Sequence, residues 1–381
     1  MKRILIFSTA YLPMQGGAEL AVNDIASRVI DCEFNLICAR LRRDLPKNEK
    51  IGRVDIFRVG FGSKIDKILL PFLGFLAARK IYKQQKSKII LWGIMASWGS
   101  LAALVFKIFY PQVSFLLTLQ EGDAKEYIMR GRWGFISLSW RWLLKKADFV
   151  QAISNYLVKT ARSFGYKGRI EIVPNGVNLN NYDLGIGNYE LRKRMGIGDE
   201  EKVVITVSRL AEKNGIGDLI KALKLLVAKY HISVKLLILG SGLLESKLKK
   251  QVENLDLKAK IIFLGDIPNN EVPEYLALAD IFVRPSLSEG LGTAFLEAMA
   301  AGVPIVGTWV GGIPDFLSDY ETGLFCEINN PESAAEKINL LLNDEILRKK
   351  LIFNSQKLIK EKYDWNKIAK KMGDIFNKLS A

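Results

Sequence analysis

Two glutamates flank a glycine turn in the segment SEGLGTAFLEAMAAGVP, residues 288–304. Glu289 precedes the Gly-x-Gly turn, and Glu297 follows it within a helical pattern whose expected N-cap is Thr293. The backbone amides of such a turn and the positive end of the helix favour a phosphate or the polar groups of a sugar. Carboxylates accept hydrogen bonds from hydroxyl groups, so the pair could hold two polyols, such as a sugar and a ribose. The alternative is a surface glutamate followed by one that the helix dipole favours.

A pair of basic residues lies in VSRLAEKNG, where Arg209 and Lys213 follow an apolar run of strand length. The carboxyl ends of parallel strands meet at one edge of a sheet, so both cations are expected near the two acids. There they could clamp a diphosphate without a metal ion and neutralise a leaving group as its bond breaks. The alternative is a pair of solvent-exposed charges near a helix start.

A glycine pair, Gly16 and Gly17, follows the first apolar run in PMQGGAE. Its amides could face a phosphate, although a plain turn is an equal alternative. The segment LGSG at 239–242 lacks the full GxGxxG pattern, which argues against a dinucleotide cofactor.

The histidine and cysteine content disfavours several kinds of chemistry. The chain has one histidine, three cysteines and no DxD pair. Sparse cysteines without a CxxC pair suit a reducing compartment and build no metal site. A His-bearing catalytic triad and a multi-histidine metal centre are therefore disfavoured, and we expect neither a metal nor a cofactor.

Alternating strand and helix patterns occupy both halves of the 381-residue chain, which is long for one core. They predict an α/β protein with two doubly wound, Rossmann-like domains and a ligand cleft between them. The first domain is expected over 1–180 and the second over 181–362, with a hinge near 178–200. An amphipathic C-terminal helix, about 363–381, is expected to pack back on the first domain.

The net charge of +15 lies entirely in the first half, because residues 1–180 hold 28 Lys and Arg against 13 Asp and Glu. This half should favour an anionic partner, namely acidic lipid, nucleic acid or a phosphorylated acceptor. No apolar stretch reaches the 18–20 residues, roughly, that span a bilayer, so we expect a cytoplasmic protein or one peripheral on the inner face of the membrane.

Aromatic and basic residues alternate in YIMRGRWGFISLSWRWLLKKADF. Together with the segment at 61–88, they form a basic-aromatic pattern typical of a helix that lies in a membrane interface. The alternative is that the aromatics pack in the core of the first domain. The residues concerned are Trp133, Phe135, Trp140 and Trp142, among Arg130, Arg132, Arg141, Lys145 and Lys146.

The motifs VPNGV, SRLAEKNG, LGSG, FLGDIP, FVRPSLSEGLGTAFLEAMAAGVPIVGT and GGIPD resemble those of glycosyltransferase family 4. This family contains retaining, nucleotide-sugar-dependent enzymes with the GT-B fold. The resemblance covers essentially the whole chain and is strongest over 172–323. The spacing of Glu289 and Glu297 matches the E-x7-E signature of the family.

The resemblance implies a role for each motif in binding the donor. Glu289 would hold donor-sugar hydroxyls, and Glu297 would hold the ribose. Arg209 and Lys213, with the Gly17 amide, would neutralise the diphosphate without a bound metal. The turn that presents backbone amides to the donor comprises Gly290, Leu291, Gly292 and Thr293. The loop that borders the base contains Asp266 and Ile267.

One segment departs from the family pattern. Members commonly carry a histidine after the strand read here as FLLTLQ, where this chain has Gln120 and Glu121. Gln120 could hydrogen-bond a sugar hydroxyl but cannot carry a positive charge. Glu121 and Asp123 are candidates for contact with the acceptor, or plain loop acids. The function of Arg284, within FVRPS, is left open between a structural role and a role in the site.

The function that the resemblance implies is transfer of a hexose from a nucleotide-diphosphate sugar, with retention, to a glycan or lipid-linked acceptor. Synthesis of a cell-envelope polysaccharide or glycolipid is the expected setting. The alternatives are a catalytically lapsed protein and a non-enzymatic protein that binds an anionic ligand such as nucleic acid or a membrane. No nucleic-acid-binding module is recognisable, so a nucleic-acid partner is not expected.

Overall fold

The structure is a computed structural model that describes residues 1–14, 16–84, 88–182 and 189–380, apart from the side chains of Arg132 and Trp133. The chain forms two compact units, Met1–Gly176 with Trp365–Ala381, and Val177–Asp364. The boundary between the units therefore lies after Gly176, whereas the sequence predicts it after residue 180. Within the expected hinge, residues 183–188 lie outside the described part of the chain.

The first unit is built on an eight-stranded sheet. Its strands are β1 (Lys2–Phe7), β2 (Cys32–Ala39), β3 (Asn48–Ile51), β4 (Val54–Val59), β5 (Ile89–Ile94), β6 (Ser114–Leu119), β7 (Phe149–Ala152) and β8 (Arg169–Ile172). They lie in the order β3-β4-β2-β1-β5-β6-β7-β8, and β3 alone runs antiparallel to its neighbour. The sequence did not predict β3, because its NEKI residues have the polar character of an edge strand.

In the described part of this unit, six α-helices connect these strands, and one more returns from the C-terminus. The six are α1 (Gly17–Arg28), α2 (Asp66–Lys83), α3 (Trp98–Phe109), α4 (Lys125–Arg130), α5 (Phe135–Lys146) and α6 (Asn155–Ser163). Helix α3 packs between α2 and α5. The α2–α3 approach is close, since a Cβ atom on Gly74 would lie 2.9 Å from that of Ala102.

The second unit contains a six-stranded sheet in which every pair of neighbours is parallel. Its strands are β9 (Lys202–Val207), β10 (Val234–Leu239), β11 (Ile261–Gly265), β12 (Ile281–Arg284), β13 (Ile305–Thr308) and β14 (Leu324–Cys326). Their order is β11-β10-β9-β12-β13-β14, so the chain reverses direction across the sheet at β9 and β12. Ligands of doubly wound sheets bind at such a reversal, beyond the carboxyl ends of the strands.

The helices of the second unit cover this sheet, whose strand residues are mostly buried except on β11. They are α7 (Tyr189–Arg194), α8 (Ile216–Ala228), α9 (Glu245–Asn254), α10 (Val272–Leu276), α11 (Thr293–Ala300), α12 (Pro331–Asn343) and α13 (Glu345–Lys362). None of the helices in the described part of the chain is long and apolar enough to cross a membrane.

The last helix, α14 (Trp365–Ser380), belongs to the first unit and packs against α1. The ring centroid of Phe376 lies 5.3 Å from that of Trp92 on β5 and 6.2 Å from that of Phe34 on β2. These contacts place α14 over the centre of the first sheet. Its buried face comprises Trp365, Ile368, Ala369, Met372, Ile375 and Phe376.

Candidate functional site

The glycine turn of the acidic motif lies between β12 and α11. Gly292 adopts φ 90° and ψ 62°, and it, rather than Thr293, is the N-cap residue of α11. The prediction of Thr293 as the cap was wrong, because the left-handed conformation required here disfavours a β-branched residue, so the helix starts with Thr293 one position later. The Glu289 carboxylate folds back on this turn, with its Oε1 atom accepting a 3.0 Å hydrogen bond from the Gly290 amide.

The backbone of Glu289 is held by the loop after β13. The Gly312 amide donates to the Glu289 carbonyl at 3.1 Å. A Cβ atom on Gly311, whose φ is 54°, would lie 1.7 Å from the same carbonyl oxygen. Only glycine allows this approach, so two neighbouring strand ends fix the position of the acid.

The loop after β9 joins the acidic turn through its backbone. The Lys213 carbonyl accepts a 2.7 Å hydrogen bond from the Leu287 amide, just before the acidic turn. Asn214, which is buried, donates its side-chain amide to the Arg209 carbonyl at 2.6 Å. The structure thus brings the loops that carry both cations to the loop that carries Glu289. The Arg209 side chain is exposed and that of Lys213 is half-buried.

The loops after β10 and β11 continue the same edge of the sheet. The Ser241 hydroxyl donates to the exposed Asp266 carboxylate at 2.7 Å, and the half-buried Ile267 follows. A Cβ atom on Gly240 would lie 2.0 Å from the Ser208 carbonyl oxygen, so this loop packs on the one that carries Arg209. Because β11, β10, β9 and β12 are neighbours in the sheet, the loops that carry Asp266, Arg209 and Glu289 lie along one edge in that order.

Glu297 lies in α11, half-buried, and Tyr182 is a neighbour that the sequence did not predict. Burial raises the pKa of the Tyr182 phenol, and the negative charge of Glu297 raises it further. The phenol therefore stays protonated and can donate a hydrogen bond. An isolated tyrosine in a polar linker carries no sequence signal that would have marked it.

Arg284, whose role the sequence left open, is buried at the end of β12 with 5% of its surface exposed. Its guanidinium donates to Glu289 Oε2 at 2.6 Å, to the Val207 carbonyl at 3.1 Å and to Ser286 Oγ at 3.2 Å. Its Cζ atom lies 4.6 Å from the centroid of the Phe295 ring. Arg284 therefore contacts β9, α11 and the acid of the candidate site.

In the first unit, Gly16 and Gly17 form the start of α1. Gly16 is the N-cap residue, with φ −141° and ψ 169°. A Cβ atom on Gly16 would lie 2.6 Å from Glu19 Oε2, whereas one on Gly17 would meet open space. A carboxylate of this chain thus lies beside the positive end of α1, whereas the space beside Gly17 is open.

Gln120 is the first residue after β6, and its side chain is partly engaged. Its Oε1 atom accepts a 3.2 Å hydrogen bond from the Asn175 amide, and Asn175 is buried. Asn175 belongs to the VPNGV motif. Further along this loop, the Asp123 carbonyl accepts a 3.1 Å hydrogen bond from the Tyr156 hydroxyl, and Asp123 is half-buried.

The Glu121 carboxylate is buried with 6% of the residue surface exposed, and it faces the protein backbone. One oxygen accepts the Ala96 amide in a short hydrogen bond, and the other accepts the Gln120 amide at 3.0 Å. Burial raises the pKa of Glu121 to about 7, with a small contribution from Asp123, although the backbone hydrogen bonds oppose the rise. Glu121 thus clamps together the loops that follow β5 and β6.

We expect Glu121→Gln to change how stability varies with pH. The folded protein keeps the Glu121 proton up to about pH 7, whereas the unfolded chain loses it near pH 4.5. The wild-type free energy of unfolding should therefore fall as pH rises through this window, by at most about 1.4 kcal/mol per pH unit. Glutamine does not titrate, so the variant should lack this contribution. Urea unfolding of both proteins between pH 4.5 and 8 measures the difference.

The control for this experiment is Glu126→Gln, an exposed position on α4. The glutamine at 121 also loses one backbone hydrogen bond, but that loss is independent of pH and shifts the whole curve. Parallel pH curves for wild type and Glu121→Gln would contradict a raised pKa at this position.

The basic-aromatic pattern on α5 divides between the core and the surface. Trp140 is buried, with its ring centroid 5.3 Å from that of Phe164, as the core interpretation predicts. Phe135 and Trp142 are 71% and 53% exposed. The side chain of Trp133 lies outside the described residues. A helix with one face in the core and aromatics on the other explains why both interpretations fit the sequence.

Helix α2 shows a second exposed apolar face, interspersed with basic residues. We define the α2–α5 surface as the exposed apolar side chains of these two helices, which flank α3. They are Ile65, Ile68, Leu69, Phe72 and Leu76 at α2, and Phe135, Leu138 and Trp142 on α5. The exposed basic residues around them are Lys64, Arg79, Lys80, Lys83, Arg141, Lys145 and Lys146.

Family models match both halves of the chain. The model described as Glycosyltransferase Family 4 matches residues 15–181, and the model described as Glycosyl transferases group 1 matches residues 188–358. The two ranges together cover most of the chain, including the acidic turn, both cations, Gln120 and the glycine pair.

Curated relatives include several glycosyltransferases. An uncharacterised glycosyltransferase of Methanocaldococcus jannaschii is 31% identical over 55% of this chain and 54% of its own length. N-acetyl-alpha-D-glucosaminyl L-malate synthase of Bacillus anthracis is 30% identical over 62% of this chain and 61% of its own length. These two alignments thus span about half to three-fifths of each relative. Alpha-monoglucosyldiacylglycerol synthase of Streptococcus pneumoniae is 26% identical over 83% of this chain and 73% of its own length.

Solved structures show the same fold. Sucrose-phosphate synthase from Thermosynechococcus elongatus matches 100% of this chain and 99% of its own with a TM-score of 0.85 at 19% identity. The Anabaena protein HepE, in complex with UDP and glucose, matches 99% of this chain and 100% of its own with a TM-score of 0.79 at 19% identity. The prediction of the GT-B fold is confirmed.

Proposed function

The chain belongs to glycosyltransferase family 4, and we propose that it transfers a hexose from a nucleotide-diphosphate sugar to a glycan or lipid-linked acceptor. The observation that carries this proposal is the joining of three loops at one sheet edge. The Lys213 carbonyl binds the Leu287 amide, and Gly312 binds the Glu289 carbonyl. Cations suited to a diphosphate and an acid suited to hydroxyl groups thus lie on connected loops.

The second unit is proposed to bind the donor. Arg209 and Lys213 neutralise the diphosphate, which gains negative charge as the glycosidic bond to it breaks. Glu289 accepts hydrogen bonds from the sugar hydroxyls, and Glu297 accepts them from the ribose. The order of the strands supports this arrangement. The loop after β9 carries both cations and lies between two other loops. One of these, after β11, contains Asp266 and Ile267 and is assigned to the base, and the other, after β12, carries Glu289.

The first unit is proposed to bind the acceptor, and Gly16, Gly17 and Gln120 stay predicted donor contacts. Transfer is proposed to retain the anomeric configuration, as the family resemblance implies. It is also proposed to need no metal ion, because Arg209 and Lys213 supply the charge that a metal would otherwise provide. In that mechanism the leaving diphosphate helps to deprotonate the acceptor on the same face of the sugar. Glu121 supports the acceptor side indirectly, by holding the backbone beside Gln120.

The α2–α5 surface is proposed to hold the protein at the cytoplasmic face of an anionic membrane. Exposed apolar side chains at helical spacing, with lysines and arginines around them, suit the boundary between headgroups and acyl chains. The Streptococcus pneumoniae relative is by its name a synthase of a glucosylated diacylglycerol, which makes a lipid-linked acceptor in cell-envelope or glycolipid synthesis a consistent choice.

A thermal-shift screen against UDP-, GDP-, ADP- and dTDP-sugars tests the proposed donor class. We expect one group to raise the melting temperature, since a ligand that binds only the folded state stabilises it by mass action. Slow hydrolysis of that nucleotide sugar should then be detectable, should survive EDTA and should be lost in Glu289→Ala. Binding without hydrolysis in the wild type would favour a catalytically lapsed protein, and the absence of any shift would contradict the proposal.

A further inference from the structure

Arg284 has no part in the proposed function, yet it is the most deeply buried cation of the candidate site. A buried guanidinium is stable only when its charge is paired and its N–H groups are hydrogen-bonded. The Val207 carbonyl, Ser286 Oγ and Glu289 Oε2 accept from three of its nitrogen atoms. Of these three acceptors, only the Glu289 carboxylate is charged.

The ion pair between Arg284 and Glu289 restricts how the acid can turn. Arg284 holds Oε2, while the Gly290 amide holds Oε1 at 3.0 Å. Both oxygens are thus fixed, and each keeps a lone pair for another donor. The guanidinium itself cannot turn freely, because it lies against Phe295 and within 2.9 Å of where a Cβ atom on Gly292 would be.

We propose that Arg284 is a positioning residue for the donor sugar, which orients the Glu289 carboxylate before the sugar arrives. This inference rests on the proposed function, because it takes Glu289 as the residue that binds the sugar. Preorganisation removes the entropy loss of ordering the acid during binding, so its benefit is restricted to ligands that carry a sugar. A free nucleotide makes no use of it.

Arg284→Lys separates positioning from charge. Lysine keeps the positive charge, but a single ammonium group cannot serve the three acceptors that the planar guanidinium reaches. We expect the dissociation constants of UDP and GDP to stay within about twofold of wild type. That of the matching UDP-glucose or GDP-mannose should rise about tenfold, which corresponds to about 1.4 kcal/mol. Isothermal titration calorimetry of each nucleotide beside its sugar measures this ratio.

The control variant is Arg348→Met, which removes another arginine of the same unit. Its Nη1 atom donates to the Leu341 and Leu342 carbonyls at 2.6 and 2.8 Å, outside the candidate site. This variant should leave the ratio of nucleotide to nucleotide-sugar affinity unchanged. If Arg284→Lys weakened both ligands equally, or neither, the positioning role would be overturned.

A thermal-melting cycle tests the ion pair without any ligand. Arg284→Met leaves the Glu289 carboxylate without its partner and should lower the melting temperature by about 5 °C or more. Adding Glu289→Gln to Arg284→Met should recover part of that loss, because the uncompensated charge is gone. Strictly additive losses would overturn the ion pair. If the wild type bound none of the nucleotide sugars of the thermal-shift screen, the proposed function would fail, and this cycle would still decide whether Arg284 holds Glu289.

Discussion

Replacing Lys213 by methionine is expected to lower kcat/KM for sugar transfer by about 10²–10³-fold, with most of the loss in kcat. The diphosphate is charged in the bound donor and gains further charge as its bond to the sugar breaks. A cation at this position therefore stabilises the transition state more than the ground state. Methionine keeps a similar length and apolar stem but removes the charge.

The position of Lys213 makes this experiment specific. Its carbonyl binds the loop of Glu289 through the Leu287 amide, and a side-chain substitution leaves that backbone bond in place. Lys221→Met, at an exposed position on α8 in the same unit, is the matched control. Initial rates with the donor identified by the thermal-shift screen give both constants. A variant with wild-type kcat/KM would remove Lys213 from the proposed mechanism.

Replacing Ile68 and Phe72 on α2 by serine is expected to weaken binding to anionic vesicles by about 10²-fold. Burying an exposed apolar side chain of this size contributes about 1.5 kcal/mol or more, and each 1.4 kcal/mol is about tenfold in affinity. Both side chains are more than half exposed, at 54% and 64%, so their loss should leave the fold intact. Flotation with vesicles that contain phosphatidylglycerol measures the effect.

Phe353→Ser is the matched control for the vesicle experiment, because Phe353 is 70% exposed on α13 in the second unit. It should float as the wild type does. Added salt should weaken wild-type binding, since the lysines and arginines of the α2–α5 surface contribute about 1 kcal/mol each near acidic lipid. If the wild type stayed with the unbound fraction, or floated equally well with neutral vesicles, the membrane proposal would be contradicted.

The strand and helix pattern was readable from the sequence because doubly wound sheets bury both faces of most strands. Continuous apolar runs such as KVVITV, which forms β9, carry a strong local signal. The strand β3 lacks that signal, since it lies at an edge and its side chains are polar or partly exposed. Similarly, Thr293 suits an N-cap by residue type, but the left-handed backbone at Gly292 moved the helix start by one residue.

The candidate site was readable in part. The glycines, acids and cations of the second unit carry chemistry in their types and spacing, so a sequence can mark them. Tyr182 was not marked, and the role of Arg284 was left open, because their importance depends on partners distant in the chain, such as Glu297 and the Val207 carbonyl. Glu121 was left open between a contact with the acceptor and a plain loop acid, and the structure shows its carboxylate bound to the Ala96 and Gln120 amides.

The local pattern of residues was sufficient for the α/β class and the order of most elements, and it marked the acidic turn as a candidate site. Those properties depend on residue types and short-range spacing, which the chain carries directly. Folding in three dimensions was needed to show that Arg284 binds Glu289, that Trp140 is buried while Trp142 is exposed, and that three loops join at one sheet edge. These features depend on which surfaces meet across distant parts of the chain, and a helix with two apolar faces does not reveal from its sequence which face meets the core.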